Sequence, residues 1–253
     1  MKLQSRQALQ WIERVPPFRD PRVQRAALHG WRRLKRYRRV LAERHGSAKY
    51  SKPALYDLDR RLERYLDWRG GTFVEAGAND GFRQSNTYFL ERFRGWRGVL
   101  VEPVPELADQ ARRERPSAFV VNCALVGRDF SGDTISVRFG GLTSAVENAG
   151  RWDSEEFGDA WTESYEVEVP VRTLSSLLVE AEVTQVDFLS LDVEGYEVEA
   201  IGGLDLERTT VNYLLIEIGS EANRRGVEQA LGEGYVLAEQ LTHHDYLYVR
   251  KGL

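Results

Sequence analysis

Glu75, Gly77, Asn79 and Gly81 sit within one seven-residue stretch, and Glu102 follows about twenty positions after the second glycine. The first group closes the apolar run Thr72-Phe73-Val74-Glu75-Ala76, and the second closes Gly98-Val99-Leu100-Val101. A glycine turn after one buried strand lets backbone approach a ligand, and a carboxylate after the next strand takes a ribose diol. The chemistry these residues suit is therefore that of a nucleoside site. The glycine pair alone has a plainer explanation, a tight turn required by packing, and Glu102 at the right distance favours the ligand.

The glycine spacing narrows the ligand. A dinucleotide fingerprint needs G-x-G-x-x-G, with a bare second position for the pyrophosphate. Here the spacing is Gly77-x-x-x-Gly81, and Asn79 fills that position. Glu75 adds a negative charge just before the turn, which suits a cation and opposes a pyrophosphate. S-adenosylmethionine carries an adenosine, a sulfonium and an α-ammonium group, and it fits the pattern better than NAD.

Strands and helices must hold these groups. Thr72–Gly77 and Gly98–Glu102 read as the first two strands. Two helices precede them. One opens at Asp20-Pro21, carries Val23, Ala27, Trp31, Leu34, Tyr37 and Leu41 at helical spacing, and stops at His45-Gly46. The other spans about 53–68. Downstream, helices are expected from Ser85-Asn86 to Phe93, at Pro105–Arg115, 173–181, 194–204 and 221–232. Strands are expected at 118–122, 186–191, 213–218, 234–241 and 246–250. Two runs, 133–139 and 165–171, alternate like antiparallel strands around an excursion loop at 140–164. Successive β-α units imply right-handed crossovers and a largely parallel sheet. The expected fold is thus α/β, a Rossmann-like class I methyltransferase arrangement. It has a mostly parallel seven-stranded sheet, an antiparallel C-terminal hairpin and an inserted hairpin and loop after strand three. Ligands sit beyond the carboxyl ends of such strands. That rule gathers 77–86, 102–106, 122–127, 192–197 and 217–220 on one rim, with the turn 242–245 beside them.

Composition bounds the rest. The 253 residues allow one α/β domain plus an extension. Cys123 is the only cysteine, so no disulfide within the chain and no multi-cysteine zinc site is possible. No apolar stretch approaches a membrane span, and the first residues lack the apolar core of a secretory signal. A cytoplasmic protein is expected. The net charge of −4 hides an asymmetry. Residues 1–52 hold 15 Lys/Arg against 3 Asp/Glu, a net of +12, and residues 53–253 hold 20 against 36, a net of −16. A basic helical extension, 1–52, therefore joins an acidic domain, 53–253. The extension is either a solvated helix docked on the domain or on a second subunit, or a surface for a phosphate-bearing substrate or for anionic lipid at the inner membrane face. Nucleic acid is not expected as a partner, because the main domain is acidic and no recognition motif is present.

The words between Phe73 and Gly81, the run Ser85-Asn86-Thr87-Tyr88-Phe89-Leu90-Glu91, Glu102-Pro103 and Asn122-Cys123-Ala124-Leu125-Val126 resemble the FkbM family of S-adenosylmethionine-dependent methyltransferases. Leu189-Ser190-Leu191-Asp192-Val193-Glu194-Gly195-Tyr196-Glu197 and Leu214-Leu215-Ile216-Glu217 continue the likeness, which covers about 53–253. The resemblance implies methyl transfer, usually to a hydroxyl oxygen, on a sugar or a polyketide-type product. It implies that Gly77, Asn79 and Gly81, with Glu75 before them, wrap the methionine end. The amides near Ser85 and Asn86 would hold its carboxylate. Glu102, with Pro103 beside it, would take the ribose hydroxyls, and Asn122 or Cys123 would lie beside the adenine. Many members carry Lys where this chain has Ser190. The competing reading is a non-catalytic module of the same fold, recruited to a membrane or partner by the basic helix.

Transfer to an alcohol requires a general base. Asp192, at the end of strand four and next to the cofactor, is the first candidate, and its structural alternative is a helix N-cap. Glu194 is the second, with a place in the first turn of the next helix as its alternative. His243, with His244 and Asp245 in the hairpin turn, is the third. Cys123 is expected as a core or adenine-pocket filler, since the reaction needs no covalent step. Asp192, Glu194, Glu217 and Asp245 together would suit Mg²⁺, but no spacing demands it, and no metal ligand is assigned. Trp152, Phe157 and Trp161 among the acids of the excursion loop suggest either a sugar-binding lid or aromatics tucked onto the domain.

Overall fold

The computed structural model describes residues 21–140, 143–146 and 165–253. The chain forms two compact units, 1–51 and 52–253. Trp152, Phe157 and Trp161 of the expected lid lie outside the described residues.

In the first unit, helix α1 runs over Pro21–Arg44. Proline at its first position costs no hydrogen bond there and has its φ already set for a helix. Gly46 takes a left-handed conformation (φ 74°), and the amides of Gly46 and Ser47 turn back to the carbonyls of Glu43 and Ala42. That geometry ends the helix.

The second unit begins with α2 (Leu58–Arg61), flanked by 3₁₀ turns at Leu55–Asp57 and Leu62–Arg64. A continuous helix over 53–68 was the expectation. Tyr56 and Asp57 both have left-handed backbone (φ 51° and 56°), which breaks it. The strands are β1 (Thr72–Ala76), β2 (Arg97–Val101), β3 (Phe119–Val121), β4 (Ala124–Leu125), β5 (Thr134–Gly140), β6 (Thr143–Val146), β7 (Tyr165–Arg172), β8 (Gln185–Leu191), β9 (Thr210–Glu217), β10 (Tyr235–Gln240) and β11 (Asp245–Arg250). Between them lie α3 (Tyr88–Arg94), α4 (Pro105–Glu114), α5 (Leu174–Glu180), α6 (Glu197–Gly202) and α7 (Glu221–Leu231).

The main sheet has seven strands in the order β10-β11-β9-β8-β1-β2-β3. The pairs from β9 to β3 are parallel, and β11 runs antiparallel to both β9 and β10. A smaller sheet, β4-β7-β5-β6, carries the expected inserted hairpin of β5 and β7. Its strand β6 falls in the stretch expected to be loop.

The period-two alternation of β1 and β2 builds a core on each face of the sheet. Val74, Ala76, Val99 and Val101 face the apolar sides of α5, α6 and α7. Phe73 and Leu100 face the other way, onto Leu58, Leu62, Leu90 and Ala111. Glu75 shares the Phe73 side by the same alternation, so its carboxylate is directed toward α3 and α4. A Thr173 cap, whose hydroxyl accepts from the Ser176 amide at 3.2 Å, starts α5, and Ser220 does the same for α7 at 3.1 Å.

Candidate active site

The turn after β1 is shaped by its neighbours. Gly77 has φ 85°, and a Cβ there would lie 1.9 Å from the Asp192 carbonyl oxygen. The Asp192 amide donates to the Ala76 carbonyl at the same crossing, at 3.0 Å. The glycine is therefore demanded by the contact between the β1 and β8 turns, the packing alternative named above, and that contact sets Asp192 against the cleft. At Gly81 (φ 81°) a Cβ would lie 3.0 Å from Ala111 and Arg115 at the α4 end. Asn79 takes left-handed backbone (φ 51°), which Asn tolerates better than most residues.

Behind this turn lies a buried ionic network. Glu75 Oε2 accepts from the hydroxyls of Ser85 (2.8 Å) and Thr87 (2.5 Å), and Oε1 accepts from the Asn86 amide (2.7 Å). Arg115, 1% exposed, donates to Glu91 (2.6 Å), to Thr87 Oγ1 (3.0 Å) and to the Gly81 carbonyl (3.2 Å). Its guanidinium also sits 3.7 Å from Glu75 Oε2. Two expectations change here. Glu75 borders the cleft, but its oxygens are taken by the 85–87 loop, so its charge fixes that loop and is not offered to a cation. The Asn86 amide is bonded to Glu75, and those of Thr87 and Tyr88 point to Ser85 Oγ. None of the three is left to hold a ligand carboxylate. Ser85 is fully buried inside the network and does not reach the cleft.

Glu102 projects from the end of β2. It is 2% exposed, and its carboxylate accepts from the amides of Asn79 (2.7 Å) and Val104 (3.0 Å). Burial pushes it up from 4.5 to about 7. A carboxylate has about four lone-pair sites, so two remain for a ligand diol. Asn122 does not face an adenine site with its amide nitrogen. That nitrogen donates to the carbonyls of Glu102 (2.9 Å) and Pro103 (2.7 Å) and pins the turn that carries Glu102. Cys123 is buried in the core cluster, and its thiol is pushed up to about 12 by desolvation. Pro103, Asn122 and Cys123 do not line the cleft.

Asp192 follows β8 directly. The next helix starts only at Glu197, with Tyr196 as its cap, so Asp192 is not the N-cap. Left-handed backbone at Glu194 (φ 55°), followed by Gly195, keeps both acids in a loop on the cleft wall. Glu194 is therefore also outside the first helical turn. Burial raises the Asp192 carboxyl well above its usual range, and a hydrogen bond with Glu217 at the end of β9 adds to this. Glu217 is raised as well, chiefly by burial. Like charges this close oppose each other's ionisation, which adds to the upward shift of Asp192. Glu197, buried beside them, accepts from the Gly195 amide (2.9 Å) and from Asn223 (2.5 Å). His243 is exposed and does not line the cleft; its carbonyl accepts from Gln240 and its ring meets the His244 ring edge-on. It is not placed to act as the base. His244 acts on Glu217 and Asp245 only through its charge, and Asp245 is bonded to Thr242 within the turn.

The cleft at the carboxyl ends of β1, β2 and β8 thus gathers Gly77, Asn79, Asn86, Glu102, Asp192 and Glu194. Five further residues line it that were not named as site residues, Ala76, Arg83, Gln84, Leu107 and Ser190, of which Arg83 and Gln84 fall in the expected rim segment 77–86. Leu107 was the readable one, as the first apolar residue of the helix that follows Glu102-Pro103. Asn86 donates to Ser190 Oγ (3.0 Å), and its own Oδ1 is buried with no hydrogen-bond partner among the described residues. Such an acceptor is costly unless a ligand donor meets it. An α-ammonium group and a ribose diol would satisfy Asn86 and Glu102, so the residues fit S-adenosylmethionine. Among the described residues no three His, Cys, Asp or Glu side chains are arranged to hold a metal ion.

Strand order, terminal hairpin and a cleft at the strand ends define a class I methyltransferase. The chain belongs to the FkbM methyltransferase family: the family described as "Methyltransferase FkbM domain" matches residues 75–248. No curated protein matches the sequence. Among solved structures, a TehB-like SAM-dependent methyltransferase from Corynebacterium glutamicum is 13% identical with a TM-score of 0.42, over 89% of this chain and 100% of that one. A SAM-dependent methyltransferase from Aquifex aeolicus is 13% identical with a TM-score of 0.43, over 79% and 92%. TrmK from M. capricolum, solved with S-adenosyl-homocysteine, is 10% identical with a TM-score of 0.38, over 76% and 68%. No helix of the described residues is long and apolar enough to cross a membrane.

Proposed function

We propose that the protein is an S-adenosylmethionine-dependent O-methyltransferase whose acceptor is a hydroxyl of a glycan, glycolipid or secondary metabolite. The observation that carries this reading is the placement of Glu102 and Asp192 in one cleft, with Glu217 close to Asp192. When bound, the cofactor supplies a methyl group already activated on a sulfonium. Glu102 would accept from the ribose hydroxyls with its two remaining lone-pair sites. Asn86 Oδ1 would accept from the α-ammonium group, and the Gly77 turn would flank the methionine end. With the donor's leaving group already good, the chain's main task is alignment of the acceptor oxygen. Asp192 holds the acceptor hydroxyl. The proton released by that hydroxyl on methylation would pass to Asp192, beside Glu217. The raised position of that pair makes it a stronger base near neutral pH than an ordinary carboxylate.

The test is a product analysis with S-adenosylmethionine and pooled hydroxyl-bearing acceptors. The reading predicts a methyl ether in the product and S-adenosylhomocysteine released in equal amount. Methyl appearing only on nitrogen or carbon would overturn the oxygen acceptor.

A further inference from the structure

Helix α1 carries an apolar stripe that is exposed among the described residues. Trp31, Leu34, Tyr37 and Leu41 recur at i, i+3, i+6 and i+10, which is one face of a helix, and they are 49%, 55%, 65% and 43% exposed. The least exposed of the described side chains in the same helix are charged instead: Arg39 at 3% and Glu43 at 9%. This inverts the ordinary arrangement, in which a soluble helix buries its apolar stripe and exposes its charges. Cations border the stripe. Arg33, Lys35, Arg36 and Arg38 are exposed, and the Lys35 ammonium lies 3.3 Å from the Trp31 ring. Glu43 is the only acid between residues 30 and 44, and it is engaged with the Ser51 hydroxyl at 2.7 Å.

We propose that α1 lies in the plane of an anionic lipid bilayer, with Trp31, Leu34, Tyr37 and Leu41 at the headgroup–acyl boundary and its Arg and Lys side chains on lipid phosphates. A long helix with one apolar stripe containing Trp, a strongly basic remainder and low net hydrophobicity is the form that binds an interface without spanning it. Charge selects this occupant. A second copy meeting the same face by two-fold symmetry brings the basic borders of the two stripes together, and no exposed acid of the helix answers Arg33, Lys35 and Arg38. An anionic bilayer supplies both the apolar layer and the counter-charge. The inference concerns a different part of the chain from the methyl-transfer site and does not depend on it.

The experiment is flotation of the full chain with liposomes at about 0.1 M salt, where surface charge still acts over about 10 Å. Phosphatidylcholine vesicles are compared with vesicles in which about a third of the lipid is phosphatidylserine. The proposal predicts at least about tenfold stronger binding to the anionic vesicles, weakened by added salt. Leu34→Ala/Leu41→Ala keeps helix propensity and lowers binding about tenfold or more, with an unchanged unfolding midpoint. Arg33→Gln/Arg36→Gln removes the preference for phosphatidylserine. Equal binding to both vesicles, no flotation with either, or full binding by the alanine variant each overturns the proposal. So does a dimer in solution that the alanine variant dissociates, since the stripe would then be a subunit interface.

Discussion

Replacing Arg115 by Met tests the claim that a buried ionic network builds the loop behind the cleft. The guanidinium is 1% exposed and donates to Glu91 at 2.6 Å and to Thr87 at 3.0 Å, with Glu75 at 3.7 Å. Met fills much of the same volume without charge. Buried Glu75 and half-buried Glu91 then lose the one cation that pairs with them among the described residues. Removing one partner of such a pair costs about 3–5 kcal/mol. The larger share falls on Glu91, because Glu75 keeps the Ser85, Asn86 and Thr87 donors. With a urea slope of about 2–3 kcal/mol per molar, the unfolding midpoint falls by about 1.5 M. Adding Glu91→Leu removes the stranded charge, so the double variant regains about 1 kcal/mol or more over Arg115→Met. A midpoint within about 0.3 M of wild type in Arg115→Met, or a double variant weaker than the single one, refutes the reasoning.

Gly77→Ala forces a methyl group to within 1.9 Å of the Asp192 carbonyl at a positive φ; we expect about 3 kcal/mol or more of lost stability, read by urea unfolding. Asp192→Asn keeps the cofactor contacts of Glu102 and Asn86, so S-adenosylhomocysteine affinity stays within about threefold while turnover falls about 10²–10⁴-fold; retained turnover moves the base elsewhere. Glu102 is raised from 4.5 to about 7, so the folded state binds more protons than the unfolded chain between those values. Ligand-free stability therefore falls as pH rises across that window, by about 3 kcal/mol from this group, and Glu102→Gln flattens the slope. Asp192, Glu217 and Asp245, also raised by burial, act in the same direction, and stability that climbs between pH 5 and 8 would contradict the assignment.

The sheet was readable because its signals are local. Apolar runs such as Phe73–Ala76 and Val99–Val101 alternate between two cores, and each glycine turn follows a run directly. Glu102 was readable for the same reason, since its distance from the turn is a chain distance. Roles that depend on partners remote in sequence were not. Arg115 looks like one more cation at the end of a basic helix turn, and only the fold brings it to Glu75 and Glu91. Glu75 was read as charge for a ligand because its donors, Ser85 to Thr87, lie ten residues on and fold back over it. Asp192 had the form of a helix cap until left-handed backbone at Glu194 delayed the helix to Glu197. His243 fell in a turn on the right rim, yet its ring points out to solvent, a matter of side-chain direction that spacing does not encode.

The central claim is that Glu102 takes a ribose diol in this cleft. Calorimetry of the intact chain with S-adenosylhomocysteine, and with the same molecule lacking its 2′ and 3′ hydroxyls, tests it without altering the protein. Two hydrogen bonds to a buried carboxylate are worth about 3 kcal/mol or more, so the account predicts binding of the first and at least about hundredfold weaker binding of the second. No heat with S-adenosylhomocysteine, or equal affinity for both, contradicts it.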